Sequence, residues 1–285
     1  MKKFKIFNVI LTFILFLCSF TACKSNTYEL NLMSFNIKIP GGSGVQTWGS
    51  RREAVFNHIN TSGADIIGLQ EVSSTPYSDL LINLASNYEL VYFQDPENLA
   101  IIYDKTVFKL VSKEKYWLSE TPDVRSYGWG EATRRMAAVL ILEHIETGEK
   151  VKAINTHGPL NDVANEKAFE LIAERSLSEE SDTFTFLCGD FNAEPGKLGY
   201  VSIADKLQDC RVTAAKSSTR ERGTFHDWGS AARPVILDYC FVSKDEKVEV
   251  LTYEVREDKF GEGNYISDHY AVQTTVRIPK KANLT

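Results

Sequence analysis

The stretch FTFLCGDFNAEP, residues 184–195, joins an apolar run to a polar turn. The run at residues 184–188 is typical of a β-strand. Asp190 and Asn192 follow at the point where this strand ends. Because a strand end is a rigid support for a side chain, the stretch predicts that a carboxylate and an amide are aimed into a site.

The same arrangement of an apolar run beside polar residues recurs along the chain. The polar residues at the ends of the other predicted strands are Asn36, Glu71, Asn155, His157, Asp238, Asp268 and His269. If these strand ends converge, they bring carboxylates, amides and two imidazoles into one cluster. Polar clusters of this kind commonly form binding or catalytic sites.

Strand-like runs outnumber helical patterns in this sequence. Helical spacing of apolar residues is found at residues 51–61, 77–85 and 166–177, whereas several strand-like runs follow one another without a helix between them. This is not a regular alternation of strand and helix. The pattern predicts an α/β protein in which two mixed β-sheets pack face to face, with helices outside.

Composition and charge narrow the class of protein. The chain has 285 residues, of which 43% are hydrophobic and 25% charged, as in a globular protein with a sizeable core. We expect a single domain over residues 28–280. The net charge of −6 argues against tight, sequence-independent binding of nucleic acid. Nucleic acid stays a possible substrate that the charge does not favour, because a site can still hold one phosphate.

The N-terminus has the features of a targeting segment. Three lysines within the first five residues precede an apolar run at residues 6–17, which is typical of a secretory signal peptide. The sequence TAC at residues 21–23 resembles the lipobox of bacterial lipoproteins. The resemblance implies cleavage after residue 22, a lipid on Cys23, a tether at residues 23–27, and a membrane-anchored protein of the cell envelope. An uncleaved N-terminal anchor is the alternative.

Three cysteines lie beyond the targeting segment, and none of them is in a CxxC spacing. Cys188 and Cys240 sit inside apolar runs, where a free cysteine behaves as a small buried hydrophobe. We therefore expect neither a zinc site built on cysteines nor a disulfide framework.

The polar cluster has the composition of a metal site. Carboxylates that lie close together repel one another unless a cation or protons neutralise them. Glu71, Asp190 and Asp268, with Asn36 and Asn192, make an all-oxygen set of donors, which suits Mg²⁺, Mn²⁺ or Ca²⁺. The two histidines would also permit zinc, but their contexts lack a zinc-like spacing. A magnesium site with few carboxylates takes further ligands from water and substrate phosphate, so the set points to phosphoryl chemistry.

Short motifs that span most of the chain resemble a known superfamily. The motifs are MSFNI (33–37), GLQEV (68–72), NTH (155–157), GDFNAEP (189–195), LDYCFVS (237–243) and SDHYAV (267–272). In identity and order they are similar to motifs of the endonuclease/exonuclease/phosphatase superfamily, which includes deoxyribonuclease I. The resemblance implies a four-layer α/β sandwich and a phosphoesterase that depends on Mg²⁺ or Mn²⁺.

The resemblance also implies a metal-binding group. Glu71 matches the principal metal ligand of the superfamily. Asn36 and Asp268 match its supporting ligands, which act directly or through water.

The catalytic roles implied by the resemblance fall on five residues. Asp190 and Asn192 match the pair that positions the attacking water and the phosphate, with Asp190 accepting the proton of the water. His269 would contact the phosphate, and Asp238 would hold the other ring nitrogen of that histidine. His157 matches a second histidine that faces the phosphate. In-line displacement by water would follow.

Two further residues are candidates for substrate binding. Arg135 matches an arginine that lies near the scissile phosphate in related proteins, although a solvated arginine at a strand edge is the alternative. His226 lies in a stretch, residues 223–228, where relatives bring a substrate-binding loop, although ordinary loop packing would also explain it.

The implied function is hydrolysis of a phosphate ester of unknown identity, with a phosphodiester preferred. Phosphomonoester hydrolysis on a small metabolite or lipid head group is the first alternative, and a catalytically inactive binding protein is the second. Lys38 departs from relatives that carry an acidic residue two positions after the first asparagine, which disfavours the abasic-site endonuclease branch.

Overall fold

The structure, a computed structural model, describes residues 26–94, 98–177 and 183–280. The expected signal peptide at residues 1–22 and the expected lipid site at Cys23 lie outside these residues, so both stay predictions. Thr27, the last residue of the expected tether, belongs to the first strand. In the part of the chain that is described, no helix is both long enough and apolar enough to span a membrane.

Strands dominate the described chain, with short helices between some of them. The strands are β1 (Thr27–Asn36), β2 (Ile66–Gln70), β3 (Tyr88–Phe93), β4 (Leu99–Asp104), β5 (Phe108–Trp117), β6 (Met136–His144), β7 (Lys150–His157), β8 (Phe184–Asp190), β9 (Leu207–Asp209), β10 (Asp238–Ser243), β11 (Glu249–Arg256), β12 (Lys259–Phe260), β13 (Asn264–Tyr265) and β14 (Ala271–Pro279). The α-helices are α1 (Trp48–Thr61), α2 (Ser74–Asn83), α3 (Asp162–Ser176), α4 (Leu198–Ala204) and α5 (Cys210–Thr213).

Within the described residues the strands form two six-stranded sheets and one small hairpin, β12–β13. The first sheet has the order β11-β14-β1-β2-β4-β3, and the second has the order β5-β6-β7-β8-β10-β9. Each sheet has one parallel pair, β1 with β2 and β7 with β8, and its other neighbours are antiparallel. Parallel strands end at the same edge of a sheet, so each pair brings its last residues together.

Three apolar clusters define the layers. The cluster between the sheets includes Leu32, Ile101, Leu140, Phe186 and Val272. The outer face of the first sheet packs its own cluster against α1 and α2, with Val55, Ile59, Ile67, Leu69 and Leu80 among its members. The outer face of the second sheet packs a third cluster against α3 and α4, which includes Ile154, Phe169, Ile172, Leu187 and Ile203. This order of layers confirms the predicted α/β sandwich.

The two sheets approach each other closely near the site. A Cβ atom on Gly68 of β2 would lie 2.2 Å from Sγ of Cys188 and 3.0 Å from the side chain of Asn155, so only glycine fits there. Cys188, Cys210 and Cys240 are buried and free. Burial raises the pKa of the Cys188 thiol above its ordinary value, which keeps it neutral as a small core side chain.

The predicted helices correspond to α1, α2 and α3, with shifts at their ends. Helix α1 begins at Trp48, before the predicted start at residue 51. Helix α3 begins after Asn161, whose side chain accepts hydrogen bonds from the backbone N–H groups of Val163 and Ala164. The sequence pattern did not predict α4, α5, β9, β12 or β13, because elements of two to seven residues are too short to show a periodicity.

Candidate active site

The strand ends that carry the predicted residues converge at one edge of the sandwich. Asn36 ends β1, and Glu71 follows β2 directly. In the second sheet His157 ends β7 beside Asp190 at the end of β8, and Asp238 at the start of β10 pairs with Asp190 from the other side. Parallel pairing in both sheets therefore assembles the cluster that the sequence predicted.

Asp190 lies at the centre of this cluster and is 1% exposed. Its Oδ2 atom accepts a hydrogen bond from Asn36 Nδ2 at 3.0 Å. The same oxygen lies 3.4 Å from His157 Nε2 and 3.6 Å from His269 Nε2. Its Oδ1 atom accepts a hydrogen bond from the backbone N–H of Asn192 at 2.9 Å. One carboxylate is thus held by an amide and a backbone donor while facing two imidazoles.

His269 is held as an imidazolium by two carboxylates. Its Nδ1 atom lies 2.8 Å from Asp238 Oδ2, and Asp238 is fully buried. Burial alone would lower the pKa of His269, but Asp238 and then Asp190 outweigh it and raise the pKa to about 10. The predicted Asp238–His269 pair is present, and it fixes a positive charge beside Asp190.

His157 has the opposite protonation preference. Burial lowers its pKa well below the ordinary value, and the nearby charges of Arg135 and His269 lower it further. A neutral imidazole can donate or accept a hydrogen bond but brings no charge. Burial also raises the pKa of Asp190 to about 6, which the charge of His269 opposes and that of Asp238 reinforces. Such divergent pKa values in one cluster are typical of acid–base sites.

The predicted metal ligands lie on the side of the cluster formed by the first sheet. Asn36 Nδ2 donates to Glu71 Oε1 at 3.1 Å, and the backbone N–H of Ile39 donates to Glu71 Oε2 at 2.8 Å. Lys38 Nζ lies 2.9 Å from Asp268 Oδ2 and 4.0 Å from Glu71 Oε1. Glu71 and Asp268 thus face the same cation, which shows that the two carboxylates can share one.

This arrangement fits a hard divalent cation. Two carboxylates that share one positive charge provide the oxygen donors that Mg²⁺ and Mn²⁺ prefer. Asn36 turns its Nδ2 towards Glu71 and Asp190, and its Oδ1 accepts from the backbone N–H of Lys38, so its predicted role as a metal ligand stays a prediction. Asp190, Asp238 and His269 also bring potential ligand atoms within 4.8 Å of one another. Each ring nitrogen of His269 already faces a carboxylate, Asp238 at Nδ1 and Asp190 at Nε2. Glu71 with Asp268 is therefore the better place for a cation.

Arg51 supports the site from beneath, a role that the sequence did not reveal. Its guanidinium donates to the backbone oxygens of Gln46, Ile37, Lys38 and Ile266, and the residue is fully buried. Burial lowers its pKa to about 10. Ile37 and Lys38 follow β1, and Ile266 lies just before Asp268, so one side chain ties together the segments that carry two predicted metal ligands.

Polar groups also fix the segments on the other side of the cluster. Thr224 Oγ1 accepts hydrogen bonds from the backbone N–H groups of Leu237 and Asp238, both at 3.0 Å. The side chain of Asn192 donates to the backbone oxygen of Gly158 at 3.0 Å, next to His157. Asn192 has a φ of 51°, a left-handed conformation that asparagine tolerates better than most residues.

The two predicted substrate-binding residues lie in different surroundings. Arg135 directly precedes β6, is 6% exposed and lies near enough to His157 to lower its pKa. His226 is 3% exposed, and its ring packs against Tyr265 and Tyr270 at centroid distances of 4.3 and 4.1 Å. Burial lowers the pKa of His226 to about 4. Substrate binding by either residue stays a prediction, and for His226 the observed contacts are those of loop packing.

The fold and the site together define a two-sheet α/β sandwich with an acid, amide and imidazole cluster at one edge. A family model matches residues 31–269, so the chain belongs to the Endonuclease/Exonuclease/phosphatase family. Members of this family are hydrolytic phosphoesterases and typically depend on a divalent metal. The recognition made from the six motifs is therefore confirmed.

Solved structures and a curated relative resemble the chain over most of its length. A family protein from Bacteroides thetaiotaomicron is 24% identical, with a TM-score of 0.82 over 91% of this chain and 98% of that one. A mannosyl-6-phosphatase from Bacteroides thetaiotaomicron VPI-5482 is 25% identical, with a TM-score of 0.80 over 87% of this chain and 99% of that one. The uncharacterized protein L388 of Acanthamoeba polyphaga mimivirus is 28% identical, over 69% of this chain and 80% of that protein.

Proposed function

We propose that the chain is a divalent-metal-dependent phosphoester hydrolase in which Asp190 prepares a water molecule for in-line attack on phosphorus. The observation that carries this proposal is the environment of Asp190. A buried carboxylate lies within 3.6 Å of one protonated and one neutral imidazole, next to a pair of carboxylates that share a cation. Proton acceptor, fixed positive charge and cation site are the parts that phosphoryl transfer requires.

Asp190 is the proton acceptor in this scheme. With a pKa of about 6 it is ionised at neutral pH yet basic enough to take a proton from water. The hydrogen bonds from Asn36 and the Asn192 backbone N–H leave the carboxylate in one orientation. The carboxylate can therefore direct a water molecule without moving.

The two histidines stabilise the charge that develops on the phosphoryl oxygens. His269 supplies a positive charge, which Asp238 maintains at neutral pH. His157 supplies a neutral hydrogen bond, and Arg135 adds charge beside it. A bound Mg²⁺ or Mn²⁺ at Glu71 and Asp268 would polarise a phosphoryl oxygen as a Lewis acid.

A phosphomonoester of a carbohydrate is the substrate class that we favour. The mannosyl-6-phosphatase is 25% identical over 87% of this chain. A terminal phosphate also carries more negative charge than a diester for the cationic groups to bind. The net charge of −6 disfavours a polyanionic nucleic acid. Hydrolysis of a phosphodiester, which the sequence analysis preferred, is the competing outcome of the test.

The test measures product release from mannose 6-phosphate, 4-nitrophenyl phosphate and bis(4-nitrophenyl) phosphate, with Mg²⁺, Mn²⁺ or a chelator. We expect metal-dependent turnover that is fastest on the monoesters. Asp190→Asn should lower kcat by about 10²-fold or more, because it removes the proton acceptor. Asp245→Asn is the matched control, since Asp245 lies in an exposed turn at the other end of β10.

Three outcomes would contradict parts of the proposal. Faster cleavage of the diester than of the monoesters would contradict the proposed substrate class and would leave the protein a phosphodiester hydrolase. Full activity of Asp190→Asn would remove Asp190 from the mechanism. No turnover of any phosphate ester by folded protein would favour the inactive binding protein.

A further inference from the structure

The ammonium of Lys38 lies beside the two carboxylates of the proposed metal site, Asp268 and Glu71. It lies 2.9 Å from Asp268 and 4.0 Å from Glu71. The side chain of Lys38 is 35% exposed, whereas that of Asp268 is 3% exposed. A buried carboxylate is costly unless a cation compensates it. Lys38 supplies that compensation to Asp268 from the open side of the cluster.

The backbone of Lys38 is fixed, so only its side chain is free to move. The backbone N–H donates to Asn36 Oδ1 at 3.0 Å, and the backbone oxygen accepts from Arg51 at 2.6 Å. The residue has a φ of 60°, an uncommon conformation for a lysine that these two bonds maintain. A lysine stem is flexible, and its partial exposure leaves a path away from the carboxylates.

We infer that Lys38 is an internal counter-ion of the metal-free enzyme, and that a divalent cation must displace its ammonium from Asp268 and Glu71 in order to bind. This inference rests on the metal site of the proposed function. A divalent cation and an ammonium cannot occupy the same pair of carboxylates without strong repulsion. Lys38 therefore lowers the metal affinity of the site and stabilises the protein when no metal is bound.

Lys38→Gln tests the inference, because glutamine has a polar side chain of similar reach and no charge. Isothermal titration calorimetry with Mn²⁺ and Mg²⁺ at constant ionic strength measures the affinity. We expect the variant to bind Mn²⁺ about five- to tenfold more tightly, an effect between those of exposed and buried ion pairs. Lys109→Gln is the matched control, since Lys109 is an exposed lysine, 64% accessible, beside Glu143 in the adjacent strand.

Thermal unfolding provides a second readout that is independent of catalysis. In a chelator, Lys38→Gln should unfold at a lower temperature than wild type, because Asp268 loses its partner. Saturating Mn²⁺ should raise the Tm of the variant more than that of wild type, since the stabilisation from a ligand that binds only the native state grows with the logarithm of its affinity. Lys109→Gln should match wild type in both conditions.

The outcomes separate this inference from the function on which it rests. Equal Mn²⁺ affinity in wild type and Lys38→Gln, together with weakened binding in Glu71→Gln, would overturn the role of Lys38 and keep the metal site. Absence of Mn²⁺ binding in wild type and in Lys38→Gln would overturn the metal site and the inference together.

Discussion

Asp238→Asn removes one negative charge from the centre of the site while keeping the shape of the side chain. Asp238 Oδ2 lies 2.8 Å from His269 Nδ1, and both residues are buried. Asp238 is the largest influence that raises the pKa of His269, from 6.5 to about 10. Without this charge the pKa of His269 should fall, because only Asp190 and Asp268 are left to oppose the effect of burial. The imidazolium should then be lost at a lower pH than in wild type.

The expected effects are large because the pair is buried. Breaking a buried ion pair costs about 3 kcal/mol of stability, of which the remaining amide-to-imidazole hydrogen bond recovers about 1 kcal/mol. Turnover at pH 7.5 should fall by about 10²- to 10⁴-fold, the range for loss of one acid–base group. Any residual activity should be highest where Asp190 is still ionised and His269 is still protonated, so the loss of activity on the alkaline side should move from near pH 10 to lower pH.

The assay is kcat against pH from 5 to 10 on the best phosphate ester, together with urea unfolding. Asp209→Asn is the matched control, because Asp209, at the end of β9, is a buried carboxyl that accepts hydrogen bonds from the Tyr200 hydroxyl and the Arg211 backbone N–H. It should lose stability while keeping the pH profile of wild type. An unchanged kcat and pH profile for Asp238→Asn would refute the reasoning that the imidazolium of His269 depends on Asp238.

Further predictions concern pH and the buried arginine. Wild-type kcat should rise with pH with an apparent pKa at or below about 6, as Asp190 loses its proton, because the bound cation favours the ionised carboxylate of Asp190. It should fall near pH 10, as the imidazolium of His269 loses its proton. Because the pKa of His269 is raised above 6.5, its contribution to stability should be complete below pH 6.5 and should disappear as pH rises through about 10, which urea unfolding at a series of pH values measures. Arg51→Lys should lower the free energy of unfolding by about 2 kcal/mol and weaken Mn²⁺ binding. An ammonium cannot replace the guanidinium donors that join Ile37, Lys38 and Ile266. A variant with the stability and the Mn²⁺ affinity of wild type would contradict this prediction.

The polar residues at strand ends were the most informative feature of the sequence. Each directly followed or preceded an apolar run, and pairing of β1 with β2 and of β7 with β8 placed them together. A single sequence does not show which strands pair. The predicted site therefore depended on the assumption that the strand ends lie close together. The structure meets that condition through the register of Asp190 with His157 and Asp238.

Other parts of the site could not be predicted from local pattern. Arg51 lies in a predicted helical stretch, and its burial depends on loops that come from residues 37–38 and 266. The protonation states of His157 and His269 are also invisible in the sequence, because they depend on which carboxylate faces each ring and on burial.

The residue type of Lys38 could be read from the sequence, but its contacts in the site could not. The resemblance to the superfamily implies that some relatives carry an acidic residue at the position of Lys38. Only the structure shows its ammonium between Asp268 and Glu71. That contact depends on the left-handed backbone of Lys38, whose N–H donates to Asn36 and whose oxygen accepts from Arg51, and none of this follows from the residue type.

The most direct test of a metal-dependent hydrolase is a Mg²⁺ titration of phosphate release by wild type and by Glu71→Gln, run side by side. Glu246→Gln, at an exposed carboxylate in the turn after β10, is the control. The account predicts saturable activation of wild type and of the control. Glu71→Gln should remain folded and be at least about 10²-fold slower at any Mg²⁺ concentration. Turnover of Glu71→Gln at the wild-type rate, or wild-type turnover that persists in a chelator, would contradict the metal site and with it the proposed mechanism.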